Sequence, residues 1–305
     1  IGQLGIAVNN TNIGDVGAEM GNALASVDLG VGRTAVQIQS GLQFTCVRMD
    51  DNNVKCWGLN SLGQLGLDDT TNRGYTGQLL SASAVNLGVG RTAKKIAVGY
   101  RHACAILDND KMKCWGYGAT GALGYENTTT YGDNAGEMAA LAYINLNTLG
   151  NIPTAITAGL DITCAKLNST PVTTKCWGQN ASGQIALQAG TNVAPSDVVG
   201  NQAGEMGDPL TPVSLGTGTT ITSSSAGYDF ICHIRNDNKL YCFGDNNYGR
   251  MNLGQPAHMG DDIDEMGSFL TKVNVGTGLV VSKVSVGYQH ACAVMTTGQL
   301  KCWGR

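Results

Sequence analysis

Ten cysteines are the first residues in this chain with the type and spacing to do chemistry. They fall into five pairs: Cys46 with Cys56, Cys104 with Cys114, Cys164 with Cys176, Cys232 with Cys242, and Cys292 with Cys302. Nine residues separate the partners in four pairs and eleven in the third. A difference of two preserves strand parity, so both cysteines point to one face of a hairpin, as a cross-strand disulfide requires. Turn formers lie between them, at Asp50 to Asn53, Asp108-Asn109-Asp110, Asn236-Asp237-Asn238 and Thr297-Gly298, beside β-formers such as Val54, Ile106 and Leu240. Zinc is the competing chemistry, but zinc ligands come in close pairs roughly two to four residues apart, and that spacing is missing. Histidine is limited to His102, His233, His258 and His290. Disulfides are therefore expected, each worth about 2.5 to 3 kcal/mol through loop closure.

His102 and His290 hold matching places in their repeats, but the equivalents elsewhere are Phe44, Ile162 and Phe230, which neither ligate nor move protons. A packed structural position accounts for all five. An acidic phrase also recurs: Gly14-Asp15 before Glu19-Met20-Gly21, Gly132-Asp133 before Glu137-Met138, Glu205-Met206-Gly207-Asp208, and Gly260-Asp261 before Glu265-Met266-Gly267. Such loops could offer oxygens to Ca²⁺, yet two acids per loop fall short of its shell of roughly six to eight oxygens. The expectation is that the carboxylates accept backbone N–H bonds while methionine fills a gap between repeats, with calcium as the alternative. Gly-x-Ser-x-Gly, His-Glu-x-x-His and a phosphate-binding Gly-Lys-Ser/Thr do not occur. No catalytic and no metal residues are assigned, and the chain reads as a non-enzyme.

The elements that position these residues repeat along the chain. In the unit from Leu59 to Gly116, the stretches Ala84 to Gly88, Lys95 to Gly99, Ala103 to Leu107 and Met112 to Trp115 are short alternating apolar runs, with glycine or Asn/Asp clusters between them. Successive second cysteines lie 58, 62, 66 and 60 residues apart. Four strands per unit make a sheet with two apolar faces that must stack on its neighbours. The fold class expected is all-β, one β-propeller domain over residues 1–305, in repeats of approximately 1–58, 59–116, 117–178, 179–244 and 245–305.

The pattern Gly-x-x-His-x-Cys-Ala followed by Lys-Cys-Trp-Gly-x-x-x-x-Gly-x-Leu-Gly, cleanest at Gly99 to Gly124 and Gly287 to Gly304, resembles the repeat of the regulator of chromosome condensation superfamily of β-propellers. That superfamily includes the type II β-lactamase inhibitory protein and a plant ultraviolet-B photoreceptor. The resemblance implies a ring of blades; seven is usual there, whereas five repeats here suggest a ring of about five four-stranded blades, with an incomplete larger ring as the rival. Ile1-Gly2-Gln3-Leu4-Gly5 matches the tail of the Trp-Gly phrase and Trp303-Gly304-Arg305 its head, so the N-terminal strand is expected to close the last blade. Two family activities fit poorly. Nucleotide exchange on a nuclear GTPase belongs to a reducing compartment, at odds with paired cysteines. Light sensing would lack its tryptophan, because Tyr100, Tyr228 and Tyr288 stand at that position.

Composition narrows the partners. Charged residues make up 14% of 305 and the net charge is -4, so no basic stripe meets nucleic acid. The longest apolar runs, such as Met138 to Leu146, fall short of the roughly 20 residues that span a bilayer, and no direct membrane insertion is expected. The sequons at Asn9, Asn127, Asn168 and Asn180, with the disulfides, point to a secretory route, N-linked glycans and an extracellular or cell-surface location. The function expected is a structural or protein–protein interaction module, as a repeating unit of an extracellular filament or surface layer; the alternative is a secreted inhibitor or receptor-like binding protein using rim loops, and a glycan-processing enzyme is the lesser one. Its partner would be another protein or a further copy of itself. Tyr75, Tyr117, Tyr125, Tyr131 and Tyr248, in inter-strand loops, are the candidate contact residues.

Overall fold

A computed structural model describes residues 2–6, 12–17, 19–75, 84–147, 149–187, 198–254, 258–262 and 264–305. Short apolar runs cut by glycine and Asn/Asp turns give five antiparallel sheets. The first holds β1 (Ala35–Ser40), β2 (Phe44–Met49) and β3 (Val54–Gly58), the second β4 (Ala93–Val98), β5 (His102–Leu107) and β6 (Met112–Gly116). The third holds β7 (Pro153–Ala158), β8 (Ile162–Leu167), β9 (Thr173–Gln179) and the short β10 (Val198–Val199). In the fourth are β11 (Ile221–Ala226), β12 (Phe230–Arg235) and β13 (Leu240–Gly244), and in the fifth β14 (Val281–Val286), β15 (His290–Met295) and β16 (Leu300–Gly304). Every first strand shifts register after its first residue, as at Ala35/Gln37 and Ala93/Lys95, a bulge that adds twist in each blade at the same place.

Each sheet carries one disulfide between its second and third strands, with the cysteines directly opposite in register. The Cα atoms are 4.0 to 4.1 Å apart in all five. In the third blade the two extra residues lengthen the hairpin by one rung, Leu167 opposite Thr173, and leave Cys164 facing Cys176. The parity read from the spacing therefore holds.

The fourth strand of each blade is slighter than expected. Among the described residues only the third sheet has one, β10 on β9. In the first, second and fourth, the outer edge is closed by an isolated bridge (Gly58 to Arg73, Gly116 to Tyr131, Gly244 to Met259). An extended segment further along adds one hydrogen bond, from Val85 N to Val54 O (2.8 Å), Ile144 N to Met112 O (2.9 Å) and Val273 N to Leu240 O (2.8 Å). Glycines with positive φ, such as Gly74 and Gly88, turn the chain away from the edge before a longer ladder forms.

The N-terminal segment corrects another expectation. Trp57 Nε1 donates to Gln3 O at 3.0 Å, and Gly2 lies against Arg73 and Gly74. Among the described residues the fifth sheet holds β14, β15 and β16 alone, so no N-terminal strand closes it. The physical reason is the turn itself: Gly5 N bonds Gly2 O, and the Gly-Gln-Leu-Gly turn folds over the indole of the first blade. Gly66 packs on Trp115 and Gly124 on Trp177 in the same way.

Blades join along their inner edges. A Cβ on Gly41, Gly99, Gly159 or Gly227 would stand 2.5, 2.4, 2.7 or 2.3 Å from the carbonyl oxygen of the matching glycine one blade on. Side chains reinforce these seams: Gln37 clamps Ile96 through both N–H and C=O, Thr157 Oγ1 donates to Ser224 O, and Val286 N donates to Ser225 Oγ. No such bond joins β14 to β1 among the described residues. Val36 and Ile38 of β1 are 52% and 63% exposed, and Leu300 of β16 is 65% exposed. Four seams are packed and the fifth face is bare.

Candidate functional site

His102 and His233 are structural, whereas His290, expected to hold the same packed position, is exposed. His102 is fully buried, its Nε2 is 2.8 Å from Thr163 Oγ1 across the seam, and burial together with Arg101 lowers its pKa to about 4. His233 is also buried, 2.7 Å from Ser224 Oγ, and burial lowers it to about 3. Both are neutral imidazoles at physiological pH.

The acidic loops use their glutamates on the backbone. Glu137 Oε2 accepts from Gly132 N and Asn134 N, Glu205 Oε2 from Gly200, Asn201 and Gln202 N, and Glu265 Oε2 from Gly260, Asp261 and Asp262 N. Glu19 does the same for Gly14 and Val16. Met138, Met206 and Met266 fill gaps in the interior while Met20 is 59% exposed. Oxygens engaged by three N–H groups are poor donors to a hard cation, and among the described residues no group of three acidic, His or Cys side chains is placed to hold a metal.

The candidate tyrosines divide. Tyr125 and Tyr131 meet edge to face at 5.3 Å, pack against the core, and Tyr125 Oη accepts from Cys114 N at 3.1 Å. Tyr75 is half-buried beside Asn72. Tyr117 and Tyr248 do reach the surface that matters here, Tyr117 under the Arg101 guanidinium at 4.0 Å and Tyr248 facing Arg250 and Arg305 at 5.8 and 5.0 Å.

That surface is the face formed by the turns from first to second strand. Its centre is made by Tyr100, Tyr228 and Tyr288, with ring centroids 5.6 Å (100 to 228), 6.2 Å (100 to 288) and 4.2 Å (228 to 288) apart. They follow the inner glycines Gly99, Gly227 and Gly287, with Leu42 at the same step of the first blade, so the ring geometry converges them on the axis. The hydroxyl contact with Tyr288 and burial push Tyr228 up to about 12.

One residue further out the face is charged. Arg101 binds Asp161 at 2.6 Å, and Arg250 binds Asp245 at 2.7 Å, with His258 3.4 Å from the same carboxylate. Asp229 sits between these pairs. Burial, then Asp245 and Asp161, push its carboxyl up to about 6 against the pull of Arg250 and His258. An aromatic centre inside a polar, ion-paired ring is the anatomy of a protein-contact patch.

A family model of the regulator of chromosome condensation (RCC1) repeat matches residues 35–64, 93–121, 221–250 and 281–305. The chain is an RCC1-like β-propeller. The unmatched third repeat is the one with the longer hairpin. The chain is 24% identical over 257 residues to the ultraviolet-B receptor UVR8 of Arabidopsis thaliana, covering 84% of this chain and 49% of the relative, and so spans about half its length. Human WBSCR16 superposes with a TM-score of 0.70 at 17% identity, over 99% of this chain and 69% of that one. Prp20p of Saccharomyces cerevisiae, described with its binding to Gsp1p and histones, gives 0.63 at 18% identity, over 90% and 58%. These likenesses bear on the fold.

Among the sequons, Asn9 lies outside the described residues. Asn127 and Asn180 use their amide nitrogens on Tyr125 and Tyr131 and on Leu187, whereas Asn168 is exposed and its nitrogen donates to no group among the described residues. No helix among the described residues is long and apolar enough to cross a membrane.

Proposed function

We propose that this RCC1-like propeller is a non-enzymatic, extracellular protein-recognition module whose contact surface is the face centred on Tyr100, Tyr228 and Tyr288. The observation that carries the reading is the gathering of three aromatic rings on the axis, ringed by Arg101, Asp161, Asp229, Asp245 and Arg250. Rigid aromatic anchors lose little entropy on binding and supply most of the energy in such patches. Partnership fits a fold whose relatives include Prp20p, described with protein partners. Five disulfides with no free cysteine among the described residues favour an oxidising compartment, and Asn168 is the sequon best placed for a glycan.

A second reading, a unit joining others of its kind in a filament or surface layer, is favoured by the bare fifth face. His102 of the second blade meets Thr163 of the third, while Phe44 and Phe230 precede blades carrying Ala103 and Ala291 at the Thr163 position. His290 is exposed, and Thr45 on the bare front of the first blade holds that same position. The fifth blade thus presents the face that packs on a threonine-bearing blade.

One experiment separates the two. The parent, a Tyr100→Ala/Tyr288→Ala variant and a His290→Glu variant are compared by sedimentation velocity and by pull-down from extracellular fluid with mass-spectrometric identification. Recognition through the aromatic face predicts a protein lost with the tyrosine variant and retained with His290→Glu. A self-assembling unit predicts large particles that His290→Glu disperses. A monodisperse monomer that captures the same proteins with either variant contradicts both.

A further inference from the structure

Beneath the three tyrosines the axis is hollow. Two cavities, each about 360 Å³, share Ser40, Val98, Ala158, Ala226 and Val286 and so form one channel. The upper part is faced by Tyr100, Tyr228, Tyr288 and Leu42. The lower part is walled by amides and hydroxyls, including Gln39, Thr157, Ser225 and Ser285. No Asp, Glu, Lys or Arg lines either part.

Several of these polar groups are committed to the fold. Gln37 clamps Ile96, Ser224 Oγ meets His233 Nδ1, and Thr157 donates to the Ser224 carbonyl. Others are not. Gln39, Ser40 and Ser285 make no side-chain hydrogen bond among the described residues, and Ser225, which accepts from Val286 N, keeps its own O–H to donate. They come from the first, fourth and fifth blades, so their free donors and acceptors converge from three directions.

We propose that this channel is a binding site for an uncharged, hydroxyl-rich chain, an oligosaccharide, held by Tyr100, Tyr228 and Tyr288 at the mouth and by Gln39, Ser225 and Ser285 within. The charge of the wall selects the class. A phosphate, carboxylate or ammonium would leave water for a site with no counter-charge. An alkyl chain would strip water from Gln39, Ser40 and Ser285 and return no hydrogen bond, which leaves each group unsatisfied. A sugar ring carries both complements. Its C–H faces lie on tyrosine rings, and its hydroxyls donate to and accept from amide and hydroxyl side chains. The site goes beyond the protein-contact reading, since it lies inside the ring and uses none of the outer charged residues.

The probes are cellohexaose, maltohexaose, mannohexaose and N-acetylated chitohexaose, with hexaglutamate and hexalysine as charged controls, offered to the purified full chain. Titration calorimetry and saturation-transfer NMR read the binding. The expected result is saturable binding of at least one neutral chain, with transfer from tyrosine ring protons and an affinity indifferent to salt. Tyr228→Ala weakens it about tenfold, Ser285→Ala about threefold, and Tyr228→Phe, which keeps the ring, stays within about threefold of the parent. Lys111→Ala, in the exposed turn between β5 and β6 and away from the channel, leaves it unchanged. Circular dichroism establishes that each variant is folded. The proposal is overturned if folded parent protein binds none of the neutral chains, if binding survives Tyr228→Ala and Ser285→Ala undiminished, or if a charged control binds more tightly. Loss of binding with Arg101→Ala alone would move the ligand to the outer face and overturn it as well.

Discussion

The second and fifth blades carry nearly the same words, His-Ala-Cys on one strand and Lys-Cys-Trp-Gly on the next, and differ in burial on one face and along the outer strand, Ala291, Ala293 and Met295 staying as buried as their counterparts. All of β5 and β6 are buried, whereas His290, Leu300, Lys301 and Cys302 are exposed. Register and disulfide are the same in both. What differs is the company: β5 packs on the third blade through Thr163, and the outer edge of β6 is covered by the chain around Ile144. Among the described residues the fifth blade has neither. The phrase thus encodes a strand pair and its staple, while burial is supplied by the neighbour, as nearest-neighbour energetics of repeat proteins requires.

Breaking that comparison calls first for its largest side chain. Trp115 is fully buried, so Trp115→Ala should cost about 3–5 kcal/mol in urea unfolding, while Trp303→Ala, half-buried against the fourth blade with its Nε1 donating to Arg250 O, should cost about 1–2 kcal/mol. Equal costs would mean the blade is stabilised from within. Acid gives the next effect. His102 has a folded pKa of about 4 against an ordinary 6.5, so its contribution is complete above pH 6.5. It is lost as the pH falls towards 4, because the unfolded chain takes the proton first. The loss is on the order of 3 kcal/mol, and His102→Gln should remove that slope in melts recorded from neutral pH to pH 4. His290→Gln, at an exposed position, should change stability by less than about 0.5 kcal/mol. The smallest effect asks whether a closed seam also traps charge. The Asp229 carboxyl is raised to about 6 from 3.8, so its ionised form opposes folding above pH 6 and the penalty fades as the pH falls below that value. Asp229→Asn should therefore add about 1 kcal/mol at pH 8, after allowance for solvent screening of a half-exposed group, and nothing at pH 4. An Asp229→Asn gain that persists at pH 4 would assign the effect to packing.

What was legible in the sequence was local. Each cysteine pair, its hairpin and the turn between them lie within a dozen residues, and strand parity alone places Cys164 opposite Cys176 despite the longer loop. The recurring Glu was legible for the same reason, since a carboxylate a few residues from a glycine turn closes on backbone N–H groups whatever surrounds it. The axial tyrosines were not. Tyr100, Tyr228 and Tyr288 lie in different repeats and meet only because blades circle one axis, a relation without a signature at the level of spacing. Their one signal was the recurring Gly-Tyr after the inner strand. Tyr125 and Tyr131 misled in the opposite direction: loop residues by sequence, they turn inward because Cys114 N needs an acceptor at the edge of its sheet. Likewise the N-terminal Gly-Gln-Leu-Gly reads as a strand-closing tail, and its preference for an indole surface shows only in three dimensions.

The inner glycines have a consequence for how this molecule can change. Because Gly41, Gly99, Gly159 and Gly227 bring carbonyl oxygens to within 2.3 to 2.7 Å of where a methyl would stand, the bore of the channel is set by main chain resting on main chain. Side chains on the face above and on the walls below can therefore be exchanged without altering the aperture. The surface is free to vary in what it recognises while the frame that spaces its residues stays constant, and a single alanine in that glycine column would disturb every contact on the face at once.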